Sequence, residues 1–306
     1  MRSEKKKMKK WLKITFIIFG VIVIGIGAYV FSIWNSLTNA VETMHQPIRQ
    51  TSEKRLEDVS LGEKHPFSVL LLGVDQRAGD RGRSDSMILL TVNPNEESIH
   101  MVSIPRDTRT TIIGKGIEDK INHAYAFGGV EMSIDTVEHF FDIPVDYFVQ
   151  INMEGFKDIV DAVGGITVNN DLDFTVGSHH FPTGNIRLNG EQALSFARMR
   201  YEDPRGDFGR QLRQRQIIEQ VVREGASLST LTNYDDIFKA LGANVRTNLT
   251  FDEMLKIQKH YKSAAKKIEQ HQIKGQGTRI NNIYYYIVSD QEKASLQQML
   301  KEHLEL

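Results

Sequence analysis

Charged side chains stand where three short apolar runs of the chain end or begin. The runs cover residues 67–74, 86–92 and 99–104, and a turn around Pro94 separates the last two. Such runs are typical of strands buried on both faces, and a hairpin across the turn would return the third strand beside the second. The ends of all three strands then meet at one edge of a sheet. Four charged residues share that edge: Asp75, Arg83, Asp85 and Arg106.

This edge has the composition of a Mg²⁺–phosphate site. Carboxylate oxygens are hard ligands that suit Mg²⁺, and guanidinium groups bind phosphate oxygens in pairs. The competing interpretation is that the charges pair with one another on a solvated loop, and we prefer it for Asp80 and Arg81. Asp75 directly follows a buried strand, which favours a functional role.

A second group of basic residues lies in the helix predicted over 210–224. Arg210 and Gln214 fall on the same face of this helix as its apolar residues. Because that face must be buried, both side chains point inward at the first turn, where a bound anion would offset the buried charge. Arg213 and Arg215 lie on the flanks of the helix and are predicted to be solvated.

The arginine-rich stretch 196–215 also invites interpretation as a nucleic-acid-binding patch. Arg198 and Arg200 lie two residues apart, so an extended segment would direct both to the same side. Neither an aromatic stacking platform nor a recognition-helix pattern accompanies them. The chain beyond residue 13 carries 31 basic against 38 acidic side chains, and an acidic domain binds nucleic acid poorly. We therefore expect no nucleic acid as a partner.

A charge-free apolar run at 14–33 follows a segment that holds seven basic side chains and one acidic side chain. About twenty residues at 1.5 Å each span a hydrocarbon core of about 30 Å, and the basic flank stays in the cytoplasm. A cleaved signal peptide is the alternative, but its apolar region would be shorter and would end at a small-residue cleavage site. We predict a single-pass cell-membrane protein whose N-terminus is cytoplasmic and whose remaining chain is extracellular.

The domain organisation follows from this anchor and from the pattern of elements. We predict a basic cytoplasmic tail (1–13), a transmembrane anchor (14–33), a stalk (34–65) and an extracytoplasmic domain (66–306). The absence of cysteine fits an exported bacterial protein without disulfides. Mixed strands and helices without strict alternation favour an α/β sandwich, with a central mixed sheet flanked by helices. Further strands are predicted at 146–152, 166–169 and 283–288, and helices at 132–141, 156–163, 190–197, 210–224, 235–241, 251–262 and 291–303.

Other motifs carry less chemistry. The pair His179-His180 lies in a predicted loop and is not expected to bind a metal. The chain has no cysteine nucleophile, no Gly-x-Ser-x-Gly and no His-Glu-x-x-His, which disfavours ordinary thiol, serine and zinc hydrolases.

Several blocks of this sequence resemble the LytR-CpsA-Psr family of bacterial cell-envelope proteins, and within it the Bacillus-type wall teichoic acid transferases. The blocks lie between Pro66 and Val222 and are specific when taken together. They are Leu72-Gly-Val-Asp75, Arg83-Ser-Asp-Ser86, Ser103-Ile-Pro-Arg-Asp-Thr108, Lys120-Ile-Asn-His-Ala-Tyr125, Ile159-Val-Asp-Ala-Val-Gly-Gly-Ile166, Ala197-Arg-Met-Arg200 and Gly206-Asp-Phe-Gly-Arg-Gln211. Many members have a tyrosine where this chain has Phe196.

The resemblance implies a Mg²⁺-dependent phosphotransferase, with Mn²⁺ as a substitute metal. Its implied substrate is an anionic glycopolymer linked to undecaprenyl pyrophosphate, and its acceptor is the C6 hydroxyl of N-acetylmuramic acid in peptidoglycan. Undecaprenyl phosphate would leave. Matching positions imply Asp75 and Asp85 as metal ligands, and Asp75, Arg83 and Arg106 as catalytic residues. The implied pyrophosphate-binding residues are Arg83, Arg106, Lys120, Arg198, Arg200, Arg210 and Gln214.

The residues leave some choices open. Asp75 is the leading candidate for the base and Asp207 the second. A non-enzymatic protein that presents the lipid-linked precursor would need the arginines alone, and a lipid-pyrophosphate hydrolase would use water in place of the sugar hydroxyl. A cytoplasmic DNA-binding regulator would require the anchor to be absent.

Overall fold

A computed structural model describes residues 35, 38, 41–48, 52–55, 57–75, 82–227, 242 and 244–306. The strands in this part of the chain are β1 (Phe67–Val74), β2 (Ser84–Asn93), β3 (Ser98–Ser103), β4 (Arg109–Ile112), β5 (Ile117–Lys120), β6 (Tyr147–Ile151), β7 (Ile166–Asn170), β8 (Phe174–Val176), β9 (His179–Phe181), β10 (Gly184–Leu188), β11 (Val245–Thr247), β12 (Lys267–Gln272), β13 (Gln276–Ile280) and β14 (Ile283–Ile287). Six of them form one sheet in the order β11-β6-β1-β2-β3-β12, and the other eight form two-stranded sheets that pair β4 with β5, β7 with β10, β8 with β9 and β13 with β14.

The central sheet is mixed, as the sequence predicts. β1, β2 and β3 form an antiparallel meander with the predicted hairpin at Pro94 between the last two. β6 adds to the meander in parallel with β1, and β12 adds in parallel with β3. The meander returns the end of β1, the start of β2 and the end of β3 to the same edge of the sheet, which confirms the predicted grouping of strand ends.

Helices cover both faces of this sheet. They are α1 (His123–Phe141), α2 (Met153–Ala162), α3 (Gly190–Arg198), α4 (Asp207–Ser227), α5 (Phe251–Tyr261) and α6 (Asp290–His303), with a 3-10 turn at Lys262–Lys266. On one face Leu70 and Leu89 pack against α1 and α6. On the other face Val69 and Ile88 pack against α4, α5 and the 3-10 turn. Alternating apolar side chains thus bury both faces, which is the predicted sandwich.

Most predicted elements are present with shifted ends. The helix predicted at 132–141 lies within α1, which begins at His123 and is interrupted by non-helical backbone at Gly128 and Gly129. The helix predicted at 156–163 begins at Met153. His179 and His180 lie in β9, part of the hairpin with β8, and not in a loop. The helix predicted at 235–241 and the membrane anchor predicted at 14–33 lie outside the described residues.

The described part of the predicted stalk contacts the folded domain. Met44 is buried against residues of β11 and α5, and His45 forms a β-bridge with Thr247. The guanidinium of Arg55 binds Asp146 with a 2.6 Å nitrogen–oxygen distance. Among the residues that the structure describes, no helix has the length and apolarity needed to cross a membrane.

Candidate active site

A cleft of about 280 Å³ opens between the sheet edge and helices α2, α3 and α4. The end of β1, the start of β2 and the first turns of α2 and α4 supply its walls. Five of the predicted site residues line it: Asp75, Asp85, Arg198, Arg210 and Gln214. The structure therefore brings together residues that are up to 139 positions apart in the chain.

Arg106 joins this site through Asp85. Its Nη1 donates to Asp85 Oδ1 at 2.7 Å, and its Nε lies 3.8 Å from Asp107 Oδ2. Burial alone would lower the pKa of Arg106, but the hydrogen bond and charge of Asp85, with the charges of Asp207 and Asp107, raise it above its ordinary value. Arg106 is consequently a fixed cation at the rim.

Arg210 is a half-buried cation at the start of α4. Its Nη2 lies 2.7 Å from Asp207 Oδ1, while its Nε is buried without a hydrogen-bond partner. Burial lowers the pKa of Arg210, and the nearby positive charges of Arg106 and Arg200 lower it further, against the charge of Asp207. A cation in this environment is stabilised by an anion in the cleft, which also offers an acceptor for the unpaired Nε. Arg210 thus points inward, as predicted.

Gln214 and Ser86 close the same wall of the cleft. Gln214 lies one turn after Arg210, and its Oε1 accepts a 3.0 Å hydrogen bond from Ser86 Oγ. Ser86 was not predicted as a site residue, although it lies next to Asp85 and is part of the block with Arg83. The bond holds the side-chain amide of Gln214 in the cleft wall.

The remaining predicted cations lie around the rim. Arg198 and Arg200 are both exposed and flank the buried Met199. Arg198 is the last residue of α3 and not part of an extended segment as predicted, and of the two only Arg198 lines the cleft. Lys120 lies outside the cleft lining and donates from Nζ to Asp107 Oδ1 at 2.6 Å. Arg83 is exposed immediately before β2 and does not line the cleft.

The predicted solvation of Arg213 and Arg215 is wrong. Both are buried, because α4 is covered around its circumference and none of the residues 206–223 is exposed. Arg213 Nη1 donates to Asp203 Oδ2 at 2.6 Å, and its other nitrogens donate to the carbonyl oxygens of Phe196 and Met199. Arg215 Nε donates to Gln270 Oε1 at 3.1 Å. A pattern of residues in one helix cannot reveal partners supplied by other elements.

The inner half of the cleft is apolar. Its walls come from β1, β2, β6 and the helices around them: Leu71, Leu72, Val74, Ile88, Ile151, Met153, Phe156, Leu194, Ala197 and Ile218. Their position beside the charged rim depends on the packing of α2 and α3 against the sheet. The cleft therefore has one end suited to an anion and one end suited to a hydrocarbon chain.

The carboxylates of the rim fit a magnesium ion. Asp75 and Asp85 line the same cleft and supply hard oxygen donors. Mg²⁺ is commonly held by one or two carboxylates and completes its shell with water and substrate phosphate oxygens. Asp85 Oδ1 accepts from Arg106, so Oδ2 is the oxygen of this carboxylate that would serve a bound Mg²⁺.

The sandwich and the cleft define an α/β protein built to hold an anionic group beside an apolar chain. The profile of the LytR_cpsA_psr family matches residues 31–302, and the chain belongs to this family. It is 52% identical over 306 residues to the Bacillus subtilis polyisoprenyl-teichoic acid–peptidoglycan teichoic acid transferase TagU, covering 100% of both chains.

Solved structures show the same fold. The crystal structure of Bacillus subtilis TagU matches with a TM-score of 0.65 at 52% identity, over 79% of this chain and 98% of that chain. A structure of TagT bound to LI-WTA matches with a TM-score of 0.75 at 31% identity, over 86% of this chain and 100% of that chain.

Proposed function

We propose that this protein is a Mg²⁺-dependent phosphotransferase of the cell envelope. It transfers an anionic glycopolymer of the wall teichoic acid type from undecaprenyl pyrophosphate to the C6 hydroxyl of N-acetylmuramic acid in peptidoglycan. The observation that carries the proposal is the two-part cleft, with arginines and carboxylates at its mouth and apolar side chains within. The activity named for a relative 52% identical over its whole length supports the same reaction.

The cleft suits each part of such a substrate. The pyrophosphate lies at the mouth, where Arg106, Arg198 and Arg210 surround it with positive charge. The polyprenyl chain occupies the apolar half, where it removes hydrocarbon surface from water. The polymer and the peptidoglycan acceptor lie outside the mouth, on the side of the exposed Arg83 and Arg200. This placement leaves the phosphorus next to the polymer open to attack.

The reaction needs no covalent intermediate with the protein. The acceptor oxygen forms a bond to the polymer-side phosphorus, the bond from that phosphorus to the bridging oxygen breaks, and undecaprenyl phosphate leaves. Negative charge develops on the bridging and non-bridging oxygens, and the fixed arginines stabilise it. Mg²⁺ bound by Asp75 and Asp85 would supply further positive charge to these oxygens.

Asp75 is the residue that we assign as base for the acceptor hydroxyl. It lies in the cleft lining, directly after β1. The second candidate, Asp207, is held by Arg210 at 2.7 Å and accepts from Gln211 Nε2 at 3.0 Å. Those two contacts fix Asp207 as a partner of the arginine, so its role is to position Arg210.

Transfer by purified variants tests the proposal. We expect the full chain in detergent to move polymer from a polyprenyl-pyrophosphate donor to peptidoglycan oligomers when Mg²⁺ is present. Asp75→Ala and Arg106→Ala should each lower the rate by at least about 100-fold, because each removes charge aimed at the transition state. Arg279→Ala, on the exposed strand β13, is the matched control and should keep the rate of the unaltered chain.

Product analysis separates the alternatives. Release of free polymer phosphate at the same rate with and without acceptor would identify a hydrolase. Tight binding of the donor without turnover would identify a presenting protein. Full transfer activity in both Asp75→Ala and Arg106→Ala would show that the reaction takes place elsewhere.

A further inference from the structure

A second cluster of polar side chains lies between β3 and β12, the last two strands on one side of the central sheet. In the parallel pairing of these strands Glu269 faces His100, and His271 follows two residues along β12. Residues two apart on a strand point to the same face, so the three side chains converge. One ligand atom from each lies within 4.8 Å of the other two, and no other such group of histidine, cysteine or acidic residues occurs in the described part of the chain.

This cluster is separate from the cleft. Gln270 alternates with Glu269 and His271 along β12, and it points to the face covered by α4, where it contacts Arg215. The cleft lining includes Ile88 and Ile218 on that same face. His100, Glu269 and His271 therefore lie on the other face of the sheet, beneath α6.

The two histidines present unpaired nitrogens. His100 Nδ1 and His271 Nε2 are both inaccessible to solvent and have no hydrogen-bond partner. Burial lowers the pKa of both rings, and a neutral imidazole carries a nitrogen lone pair that can bind a metal. Buried polar atoms without partners are costly and are therefore uncommon in folded proteins.

The surroundings orient the cluster. The ring of His303 stacks on that of His100 with centroids 3.9 Å apart. The hydroxyl of Thr91 lies 2.7 Å from His303 Nδ1, and the hydroxyl of Ser98 lies 2.9 Å from His303 Nε2. His303 is thus a fixed wall and not a ligand. Across from it, Glu269 Oε2 lies 3.6 Å from His100 Nε2.

Lys267 is the one cation beside the cluster on β12. Its Nζ binds Glu269 Oε1 at 2.6 Å, which leaves Oε2 directed at the histidines. Lys267 is largely exposed, so solvent screens its charge. The carboxylate of Glu269 can therefore keep its contact with Lys267 through Oε1 while Oε2 binds a metal ion.

We propose that His100, Glu269 and His271 bind a divalent transition-metal cation of the Zn²⁺ class. Two imidazoles and one carboxylate form a three-ligand zinc set that leaves a fourth position open. Mg²⁺ prefers oxygen ligands alone, so the rim of the cleft and this cluster select different metals. Ligand atoms in a tetrahedral Zn²⁺ site lie about 3.4 Å apart, so the side chains close by roughly 1 Å on binding.

The bound cation would fasten the edge strand β12 to β3. β12 is paired on one side only within the central sheet. Its side chains are mainly polar and half-buried, so few apolar contacts hold it in place. The metal thus adds a side-chain link parallel to the backbone hydrogen bonds, and the site is independent of the proposed transfer reaction.

Zinc titration of the full chain tests the site. The protein is prepared in detergent without a polyhistidine tag, stripped of metal, and titrated with ZnCl₂ against a chromophoric chelator. We expect one Zn²⁺ per chain. His271→Ala and Glu269→Gln should each weaken binding at least tenfold, because each removes one ligand of three.

Two control variants locate the bound ion. His180→Ala removes an exposed histidine that also lies beside a carboxylate, 3.1 Å from Asp173, and should leave binding unchanged. Asp85→Asn tests the rim of the cleft and should also leave zinc binding unchanged. Loss of binding in Asp85→Asn, or equal affinity in His271→Ala and His180→Ala, would overturn the proposal.

A measurement on the unaltered chain keeps the test valid if a variant fails to fold. X-ray absorption of the zinc-loaded protein should show two imidazole ligands and a mixed nitrogen–oxygen shell. Co²⁺ in place of Zn²⁺ should give the intense visible bands of a four-coordinate ion. An all-oxygen shell, or no stoichiometric binding, would contradict the site.

Discussion

Arg210 and Arg213 lie one helical turn apart in α4, and their partners give them opposite roles. Arg213 is 2% exposed, its charge is matched by Asp203, and its guanidinium lies 5.5 Å from the ring centroid of Phe174. Arg210 keeps an unpaired Nε and faces the cleft. Each of the three Arg213 nitrogens donates to a partner within the fold, whereas Arg210 has an unused donor that is available to a ligand.

Arg213→Met should therefore destabilise the protein without a direct effect on the cleft. The substitution leaves the buried Asp203 with Arg205 as its remaining charged partner. We expect a loss of about 3 kcal/mol in the free energy of unfolding, since breaking a buried pair is costly. Urea unfolding at pH 7 measures it. Lys256→Met, which removes an exposed pair with Asp252, is the control and should change stability by less than about 1 kcal/mol.

The Arg213–Asp203 pair also predicts how the stability of the protein depends on pH. Burial alone would raise the pKa of Asp203, but its hydrogen bonds with Arg205 and Arg213 hold that pKa well below the ordinary value. The stabilisation is therefore fully present above about pH 4 and is lost as the pH falls through the folded-state pKa. The stability difference between the unaltered chain and Arg213→Met should shrink as the pH is lowered below 4. A difference that grows on acidification would contradict the assigned pair.

At the residue scale the sequence predicts positions better than partners. Asp75, Asp85 and Arg106 could be grouped because strand direction alone places strand ends. The inward direction of Arg210 and Gln214 followed from the apolar residues on their face. The burial of Arg213 could not be predicted in this way, because the acceptors of its hydrogen bonds, Asp203 and two carbonyl oxygens, lie outside the helix.

At the scale of elements, the apolar strands could be predicted and the polar ones could not. β1, β2 and β3 are buried on both faces, so their sequences are almost continuously apolar. β12 reads Lys-Ile-Glu-Gln-His-Gln and contains one apolar residue, because it lies at the sheet edge. Its position depends on pairing with β3, which local sequence does not encode. The residues that line the apolar half of the cleft could not be named from the sequence for the same reason, since this half forms where α2 and α3 meet the sheet.

The contact of α2 with α3 depends on Gly190, the first residue of α3. A Cβ at this position would lie 2.3 Å from the carbonyl oxygen of Lys157 in α2. Backbone cannot move aside as a flexible side chain can, so the two helices would separate. Gly190→Ala should cost about 1–3 kcal/mol of unfolding free energy, as overpacking does. It should also weaken donor binding, because Phe156 of α2 and Leu194 of α3 both line the cleft.

Gly225→Ala in α4 is the matched control for this prediction. No atom lies within 4 Å of a Cβ at that position. Alanine in a helix is favoured over glycine, so stability should rise by about 0.5–1 kcal/mol. Urea unfolding of the two variants gives the comparison, and a neutral Gly190→Ala would show that the helices can separate without cost.

At the scale of the whole molecule, the cleft indicates a second role for the predicted anchor besides tethering, which is to bring the cleft close to a lipid-linked substrate. A polyprenyl pyrophosphate has its hydrocarbon chain in a bilayer, so an enzyme with its cleft near the membrane surface meets the substrate at high local concentration. Met44, His45 and Arg55, in the described part of the predicted stalk, all contact the domain. If residues 14–33 span the membrane as predicted, this packing would limit how far the cleft can move from the membrane surface.

The anchor at 14–33 remains a prediction from the sequence, and its role can be tested by relocation. Protease added to intact protoplasts should degrade the domain, because the basic flank at 1–13 holds the N-terminus inside. A variant that lacks residues 1–34 and stays in the cytoplasm should keep the fold but transfer no polymer to the wall, since the acceptor is absent there. A heterologous single-span anchor of the same orientation is the control and should restore transfer. Protection of the domain in protoplasts, with wall polymer still attached by the cytoplasmic variant, would place the reaction on the other side of the membrane.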